Sequence, residues 1–224
     1  DVNIVTVEDP IEYDLDNINQ AQINAKSGVT FASALKSILR QDPDIIMVGE
    51  VRDEETVELG IRAALTGHLV FSTVHTNDAA SGFTRLLNWN VEPFLIASTV
   101  KGILAQRLVR RICKECKQPH QASDKELKMI GLEPQESFKA YKGKGCLACR
   151  NTGFKGRVGI YELLLVDAEI SELVLEQAPG YKIREQARKS GMRTLLEDGI
   201  LKVNRGDTTI SEIYETLGTT KIII

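Results

Sequence analysis

Several features that mark other protein classes are missing from this sequence. No stretch approaches the roughly 18 consecutive apolar residues of a membrane-spanning helix, and the first residues lack a signal-peptide pattern. Neither charge sign dominates, since 28 Lys and Arg stand against 31 Asp and Glu, which leaves little general attraction to nucleic acid or anionic lipid. The hydrophobic content of 42% is ordinary for a globular protein. We therefore expect a cytoplasmic protein.

Cysteine is also scarce, and all four residues fall into two Cys-x-x-Cys pairs, Cys113/Cys116 and Cys146/Cys149. Tight turns of this kind let two thiolates face one ion, which favours a structural zinc site with four thiolate ligands. The alternative is a pair of redox dithiols or free thiols, and the 29-residue gap is longer than in common short zinc modules. His120 is either a spare ligand or, as we favour, a solvated loop residue.

A short apolar run, Ile45–Val48, predicts where a ligand would bind. Pro43 and Gly49 bound it, as is typical of a strand buried on both faces of a parallel sheet. Such a strand cannot bury a carboxylate, so Glu50 is predicted just beyond its end, where open α/β sheets bind ligands. Alternatively, Glu50 only caps a turn or begins the next helix.

Two more β-rich runs also end in polar side chains. Val2–Val7 precedes Glu8, and Leu69–Val74 precedes His75. Helical segments between the runs predict parallel strands, whose ends meet at one edge of the sheet. This convergence is the residue-level evidence for a site. His68 and His75 lie seven residues apart, about 23 Å along an unbroken strand, so they cannot share a metal ion.

The chain divides into three parts by composition and by its pattern of predicted strands and helices. Strands and helices alternate over residues 1–111, whereas Lys, Gly and Cys are frequent in 112–156. Residues 157–224 contain a return strand and short helices. We therefore predict three domains with these bounds in an α/β protein. The return strand is Gly156–Val166. The predicted helices are 31–40, 53–65, 79–87, 93–110, 169–177, 182–190, 194–203 and 209–217.

Three segments resemble the motifs of secretion ATPases. Val7–Glu12 resembles the aspartate box, Arg40–Asp53 the Walker B segment, and Thr66–Asn77 the histidine box. The two cysteine pairs, with Gly145–Arg157, narrow the resemblance to the type II secretion and type IV pilus assembly ATPases. Related retraction ATPases lack this tetracysteine module.

The resemblance implies a RecA-like P-loop ATPase core with a tetracysteine zinc insertion and a C-terminal helical subdomain. It implies a homo-hexamer that hydrolyses ATP with Mg²⁺ at subunit interfaces. Such a motor drives pilin or pseudopilin assembly through an inner-membrane platform protein, which would hold it at the inner membrane through partners.

One departure from the family pattern is the missing P-loop. No Gly-x4-Gly-Lys-Ser/Thr run occurs in the 224 residues, although that loop normally cradles the phosphates. We therefore expect a fragment of a longer protein that binds ATP poorly by itself. The alternative is a non-enzymatic, zinc-stapled interaction module.

Position and resemblance together assign the site residues. We expect Glu50 to act at the Mg²⁺ site and Glu8 to orient or deprotonate the attacking water, although these two roles could be exchanged. His75 is expected to sense the γ-phosphate, while Asp9 could equally be a turn residue beside Pro10. The residues assigned to cofactor binding are Asp9, Glu12, Arg52, His68 and His75.

Nucleic acid is not an expected partner. Arg107, Arg110 and Arg111 cluster at the predicted end of one helix, where the helix dipole favours cations in any case. No ladder of aromatic residues for stacking bases accompanies them.

Overall fold

The computed structural model describes residues 2–133 and 138–218. These residues form two compact units, each built from two stretches of chain. The first unit contains the residues up to Ile103 together with Leu165–Ala187, and the second contains Leu104–Leu164 together with the residues from Arg188 onward. No helix in the described ranges is long and apolar enough to cross a membrane.

The first unit holds a parallel sheet, as predicted. Its strands are β1 (Ile4–Glu8), β2 (Asn19–Gln22), β3 (Ile45–Val48) and β4 (Leu69–Ser72), in the order β2-β1-β3-β4. Each neighbouring pair in this order is parallel. The sequence analysis did not predict β2, because Asn-Gln-Ala-Gln lacks the apolar and β-branched residues that indicate a strand.

Two helices pack against one face of this sheet. They are α1 (Phe31–Ile38), whose N-terminus Thr30 caps, and α2 (Glu54–Leu65), which Asp53 caps. The core between these helices and the sheet contains Val5, Val7, Phe31, Leu35, Ile38, Ile46, Val48 and Ala63. Both helices were predicted, at 31–40 and 53–65, and the structure ends α1 two residues earlier than predicted.

The opposite face of the sheet corrects one expectation. Ile45–Val48 was predicted to be buried on both faces, but only Ile46 and Val48 are buried, while Ile45 and Met47 are partly exposed. Their neighbours on β4, Leu69 and Phe71, are about half exposed. The physical reason is that α1 and α2 cover the side on which Ile46 and Val48 lie.

Further helices complete the first unit. They are α3 (Ala80–Asn88), α4 (Pro93–Thr99), α6 (Ala168–Leu175) and most of α7 (Gly180–Lys189). The predicted helix 93–110 is wrong beyond Thr99, because residues 102–112 form a strand. Arg107, Arg110 and Arg111 therefore lie on a strand, and the helix-dipole explanation of their clustering does not apply.

The second unit contains two separate strand pairs. β5 (Gly102–Ile112) lies beside β8 (Phe154–Leu165), and β6 (Lys117–Gln121) runs antiparallel to β7 (Lys139–Gly143). The predicted return strand is confirmed as β8. Its helices are α5 (Asp124–Met129), α8 (Leu195–Arg205) and α9 (Ile210–Leu217). A buried carboxylate, Glu212, accepts the backbone N–H of Arg110 at 3.0 Å and also pairs with its guanidinium, which joins α9 to β5.

Candidate functional site

The three predicted polar ends meet at the carboxyl edge of the parallel sheet. Beyond the strands, the Gly49 N–H donates to the Val7 carbonyl at 2.8 Å and the Val51 N–H donates to the Thr73 carbonyl at 3.0 Å. These hydrogen bonds hold the segment that follows β3 between the end of β1 and the segment that follows β4. A Cβ atom built on Gly49 would lie only 3.1 Å from the Val7 oxygen and 3.4 Å from the Glu8 Cα, so glycine permits this close approach.

Glu50 stands between two cationic or ionisable partners. Its Oε1 accepts a hydrogen bond from Arg52 Nη2 at 2.5 Å, and its Oε2 lies 3.5 Å from His75 Nε2. The hydrogen bond and the positive charge of Arg52, with a smaller contribution from the neighbouring His75, lower the pKa of Glu50 although partial burial opposes the shift. A charged carboxylate therefore stands at this edge near neutral pH.

Glu8 is held by neutral donors instead. Its Oε1 accepts from Thr6 Oγ1 at 2.6 Å and from Gln20 Nε2 at 2.9 Å. Gln20 lies on β2, and its Oε1 also accepts the Leu15 N–H at 2.7 Å, which ties down the loop after β1. The sequence analysis missed Gln20, although its place next to Thr6 in the parallel register explains the contact.

The other predicted site residues at the carboxyl edge of the sheet are Asp9, Arg52 and Glu12, and their surroundings differ. The hydrogen bond and negative charge of Glu50 raise the pKa of Arg52, and the charge of the nearby Asp9 adds to this effect. Glu12 is exposed in the loop between β1 and β2. We call Glu8, Glu50, Arg52 and His75 the carboxyl rim.

His68 lies at the other end of β4, before the strand begins. Its Nδ1 lies 2.9 Å from the Ala63 carbonyl oxygen and 3.0 Å from Thr66 Oγ1, at the C-terminal end of α2. The structure therefore does not bring His68 together with His75 and Glu50.

The loop that carries His75 is anchored by Asp78, which the sequence analysis did not single out. Asp78 is 7% exposed and accepts hydrogen bonds from the Ser81 N–H at 2.9 Å and Ser81 Oγ at 2.6 Å, and its Oδ2 lies 2.6 Å from Arg184 Nη2. Burial opposes ionisation, yet these hydrogen bonds and the Arg184 charge lower the pKa of Asp78. An ion pair between α7 and the His75 loop cannot be found from sequence, because about 100 residues separate its partners.

The four cysteines form a separate cluster in the second unit, with all Sγ atoms within 4.8 Å of one another. Neighbouring sulfurs are 3.7 Å apart for Cys146 and Cys149, 3.8 Å for Cys113 and Cys146, and 3.9 Å for Cys116 and Cys149. A tetrahedral zinc ion with Zn–S bonds of about 2.3 Å separates its sulfurs by about 3.8 Å. The cluster is therefore compatible with zinc.

The surroundings of the cysteines also suit a cation. Burial raises the pKa of Cys116 to about 12. For Cys149, burial is outweighed by backbone N–H groups of Cys146 and Gly153, which donate to its sulfur at 3.2 and 3.3 Å and lower its pKa to about 6. A metal ion would displace the remaining protons from such a set. The expectation that His120 is a solvated loop residue is wrong: it lies on strand β6, its side chain is only 25% exposed, and its Nε2 lies 3.0 Å from Glu126 Oε1.

Comparisons with known proteins agree with this architecture. Residues 1–215 match the family model described as Type II/IV secretion system protein. The chain is 50% identical over 215 residues to the type IV pilus assembly ATPase PilB of Thermus thermophilus, covering 95% of this chain and 24% of that protein. It is 47% identical over 211 residues to the type II secretion system protein E of Pseudomonas aeruginosa, covering 94% of this chain and 42% of that protein.

A solved structure extends the comparison to the fold. The crystal structure of the pilus retraction motor PilT with bound ADP superposes with a TM-score of 0.68 and 29% identity, over 96% of this chain and 52% of that one. The chain thus spans about a quarter to a half of the proteins that it matches.

Proposed function

The chain belongs to the family of type II/IV secretion system proteins, and on that premise we propose that it carries the hydrolytic carboxylates of an ATP-driven motor. The motor would power pilin or pseudopilin assembly in type IV pilus biogenesis or type II secretion. The observation that carries the proposal is the ionised Glu50, placed between Arg52 and His75 at the carboxyl edge of a parallel sheet. This is where open α/β sheets bind their ligands.

The Mg²⁺–ATP complex supplies the scissile phosphoryl group and a cation that neutralises charge as the bond breaks. Glu50 binds at the Mg²⁺ site, directly or through water. Glu8, whose Oε1 is fixed by Thr6 and Gln20, keeps a second oxygen for the attacking water, which it orients or deprotonates. The assignment of these two carboxylates could be exchanged.

The remaining residues of this side shape the charge of the site. Arg52 holds Glu50 in its ionised form and is available to phosphate oxygens, and His75 donates a hydrogen bond toward the γ-phosphate. Asp9 and Glu12 contribute to the acidic edge. Nucleotide contact by His68 stays a prediction, since that residue lies at the opposite end of β4.

The whole motor would act as a homo-hexamer in the cytoplasm, held at the inner membrane by a platform protein and other assembly components. Nucleic acid is not a proposed partner. Since the 224 residues contain no P-loop, we also propose that this chain alone binds ATP poorly.

The tetracysteine cluster would hold a structural Zn²⁺. Four thiolate ligands leave no open coordination position for a substrate or a reactive water. The cation would therefore stabilise a part of the second unit rather than take part in hydrolysis.

Replacing Glu50 tests the hydrolytic role in the full-length protein that contains this chain. We expect Glu50→Gln to lower ATP turnover by about 100-fold or more, because the charge at the metal site is lost while the side-chain shape is kept. Glu55→Gln is the matched control, since Glu55 is an exposed residue of α2 paired only with Lys36 in the described structure. Both variants should retain their zinc content.

Unchanged turnover in Glu50→Gln would reject the role of Glu50. If the wild-type full-length protein binds zinc but neither binds nor hydrolyses ATP, the alternative of a zinc-stapled interaction module takes its place.

A further inference from the structure

A polar cavity of about 450 Å³ opens beside His75, between α3 and the beginning of α7 in the first unit. Apart from Gly180, every residue that lines it carries a polar or charged group in its side chain. The residues that matter for its chemistry are Thr84, Arg85, Asn88, Gly180, Tyr181 and Arg184. A cavity without aliphatic side chains is suited to a strongly hydrated, charged ligand and not to an apolar one.

The charges in this cavity do not cancel. Arg184 is paired with the buried carboxylate of Asp78 at 2.6 Å, so these two groups neutralise each other. Arg85 has no salt-bridge partner within residues 2–133 and 138–218. One full positive charge therefore remains at neutral pH, apart from any charge on His75.

The guanidinium of Arg85 is also held in an orientation that leaves its donors free. It lies over the ring of Trp89 at 4.6 Å from the ring centroid. Stacking on an aromatic face uses the flat side of the guanidinium and leaves the in-plane N–H groups available, and their fork geometry matches two oxygens of one anion.

Two further features of the cavity favour an anion: the Nε of Arg184 and the beginning of α7. The buried Nε of Arg184 has no hydrogen-bond partner among the described residues. The helix α7 begins at Gly180, which lines the cavity, so the positive end of the helix dipole lies beside it.

We infer that this cavity binds a small oxyanion, a phosphate monoester or a carboxylate, with Arg85 as the main contact and Arg184 as the second. The site is separate from the nucleotide-binding role proposed for the carboxyl rim, but it shares His75 with it.

Binding can be measured on the 224-residue chain without any nucleotide. Inorganic phosphate and acetate are titrated separately at constant ionic strength, with chloride as the balancing anion, while NMR follows the Arg Nε–Hε and Asn side-chain signals. We expect saturable shifts with phosphate or acetate, and about tenfold weaker binding in Arg85→Gln. Arg157→Gln, an exposed arginine of the second unit, is the matched control.

A response to phosphate alone identifies a phosphate ligand, and a response to acetate alone identifies a carboxylate ligand. The absence of saturable shifts when phosphate or acetate replaces chloride, or unchanged phosphate and acetate binding in Arg85→Gln, would overturn the inference. The Arg85→Lys variant keeps the positive charge but loses the paired N–H donors of the guanidinium, so we expect it to bind the anion with intermediate strength. This variant provides the test if Arg85→Gln does not fold. Because no ATP turnover is measured, the result is independent of the role of Glu50.

Discussion

The carboxyl rim and the tetracysteine cluster are built in opposite ways. The rim assembles residues from three strands, and its His75 side chain is 89% exposed. The cysteine cluster is formed by two short turns, and Cys113, Cys116 and Cys149 are each no more than 5% exposed. Buried side chains with few open directions suit a bound structural cation, whereas exposed side chains at a sheet edge leave room for a larger ligand.

The two sites also differ in how their ionisable groups are compensated by neighbouring protein groups. At the rim, the negative charge of the Glu50 carboxylate is compensated by Arg52. In the cysteine cluster, a thiol whose pKa burial raises to about 12 lies 3.9 Å from one with a pKa of about 6. A bound cation would favour the thiolate form of these cysteines.

The largest effect is therefore expected in the cysteine cluster. Cys149→Ser removes one thiolate and should reduce the zinc content well below one ion per chain. Loss of the cation should destabilise the second unit strongly, since structural zinc contributes on the order of 10 kcal/mol in small modules. Elemental analysis and thermal unfolding followed by circular dichroism provide the measurement.

Leu147→Ser is the control for this experiment, because Leu147 lies between the two cysteines of its pair but is 92% exposed. A Cys149→Ser variant with full zinc content and unchanged unfolding would refute the structural role. It would also remove the contrast between the two sites.

A moderate effect is expected at the anchor of the His75 loop. Asp78→Asn should lower the free energy of unfolding by about 2 kcal/mol, because a buried charge-assisted hydrogen bond is lost and Arg184 loses its partner. Urea unfolding measures this change. Glu58→Gln, which breaks the exposed pair with Arg62, should cost less than about 0.5 kcal/mol.

The Asp78 effect should depend on pH in a definite direction. Because the pKa of Asp78 is lowered in the folded state, its stabilisation is fully present above the unfolded-state pKa of about 3.9 and is lost as the pH falls through the folded-state pKa. The difference between wild type and Asp78→Asn should therefore shrink on acidification below about pH 4. A difference that stays constant to lower pH would show that the carboxylate charge is not responsible.

The smallest effect is expected at the rim itself. Arg52→Gln removes the strongest partner of Glu50, so the pKa of Glu50 should rise toward its ordinary value. Carbon-13 NMR titration of the Glu50 carboxyl group in the chain measures this shift. Arg62→Gln should leave Glu50 unchanged, because Arg62 pairs with Glu58. An unaltered Glu50 titration in Arg52→Gln would show that Arg52 does not control the carboxylate.

Local sequence signals accounted for much of the fold. Apolar runs with polar ends predicted β1, β3 and β4, and apolar residues at helical spacing predicted α1 and α2. The predicted cysteine cluster needed only two short-range pairs. These signals succeed because each depends on residues that are neighbours in the chain.

The incorrect helix shows where such signals fail. Leu104, Ala105, Leu108 and Val109 recur at the spacing of an apolar helix face, but the structure places Ala105 and Val109 on the buried side of β5 and leaves Leu104 and Leu108 exposed. Pairing with β8, some 50 residues later, decides in favour of the strand. Periodicity in one segment carries no information about that partner.

The sequence by itself determined the parallel α/β arrangement, the carboxylates Glu8 and Glu50, and the cysteine pairs, because apolar patterning and chain-local spacing specify them. Only the tertiary structure decided which groups control those side chains: Gln20 beside Glu8, His75 beside Glu50, and Arg184 on Asp78. Hydrogen bonds and ion pairs act over only a few ångströms, so their partners are defined by the folded path of the chain and not by distance along it.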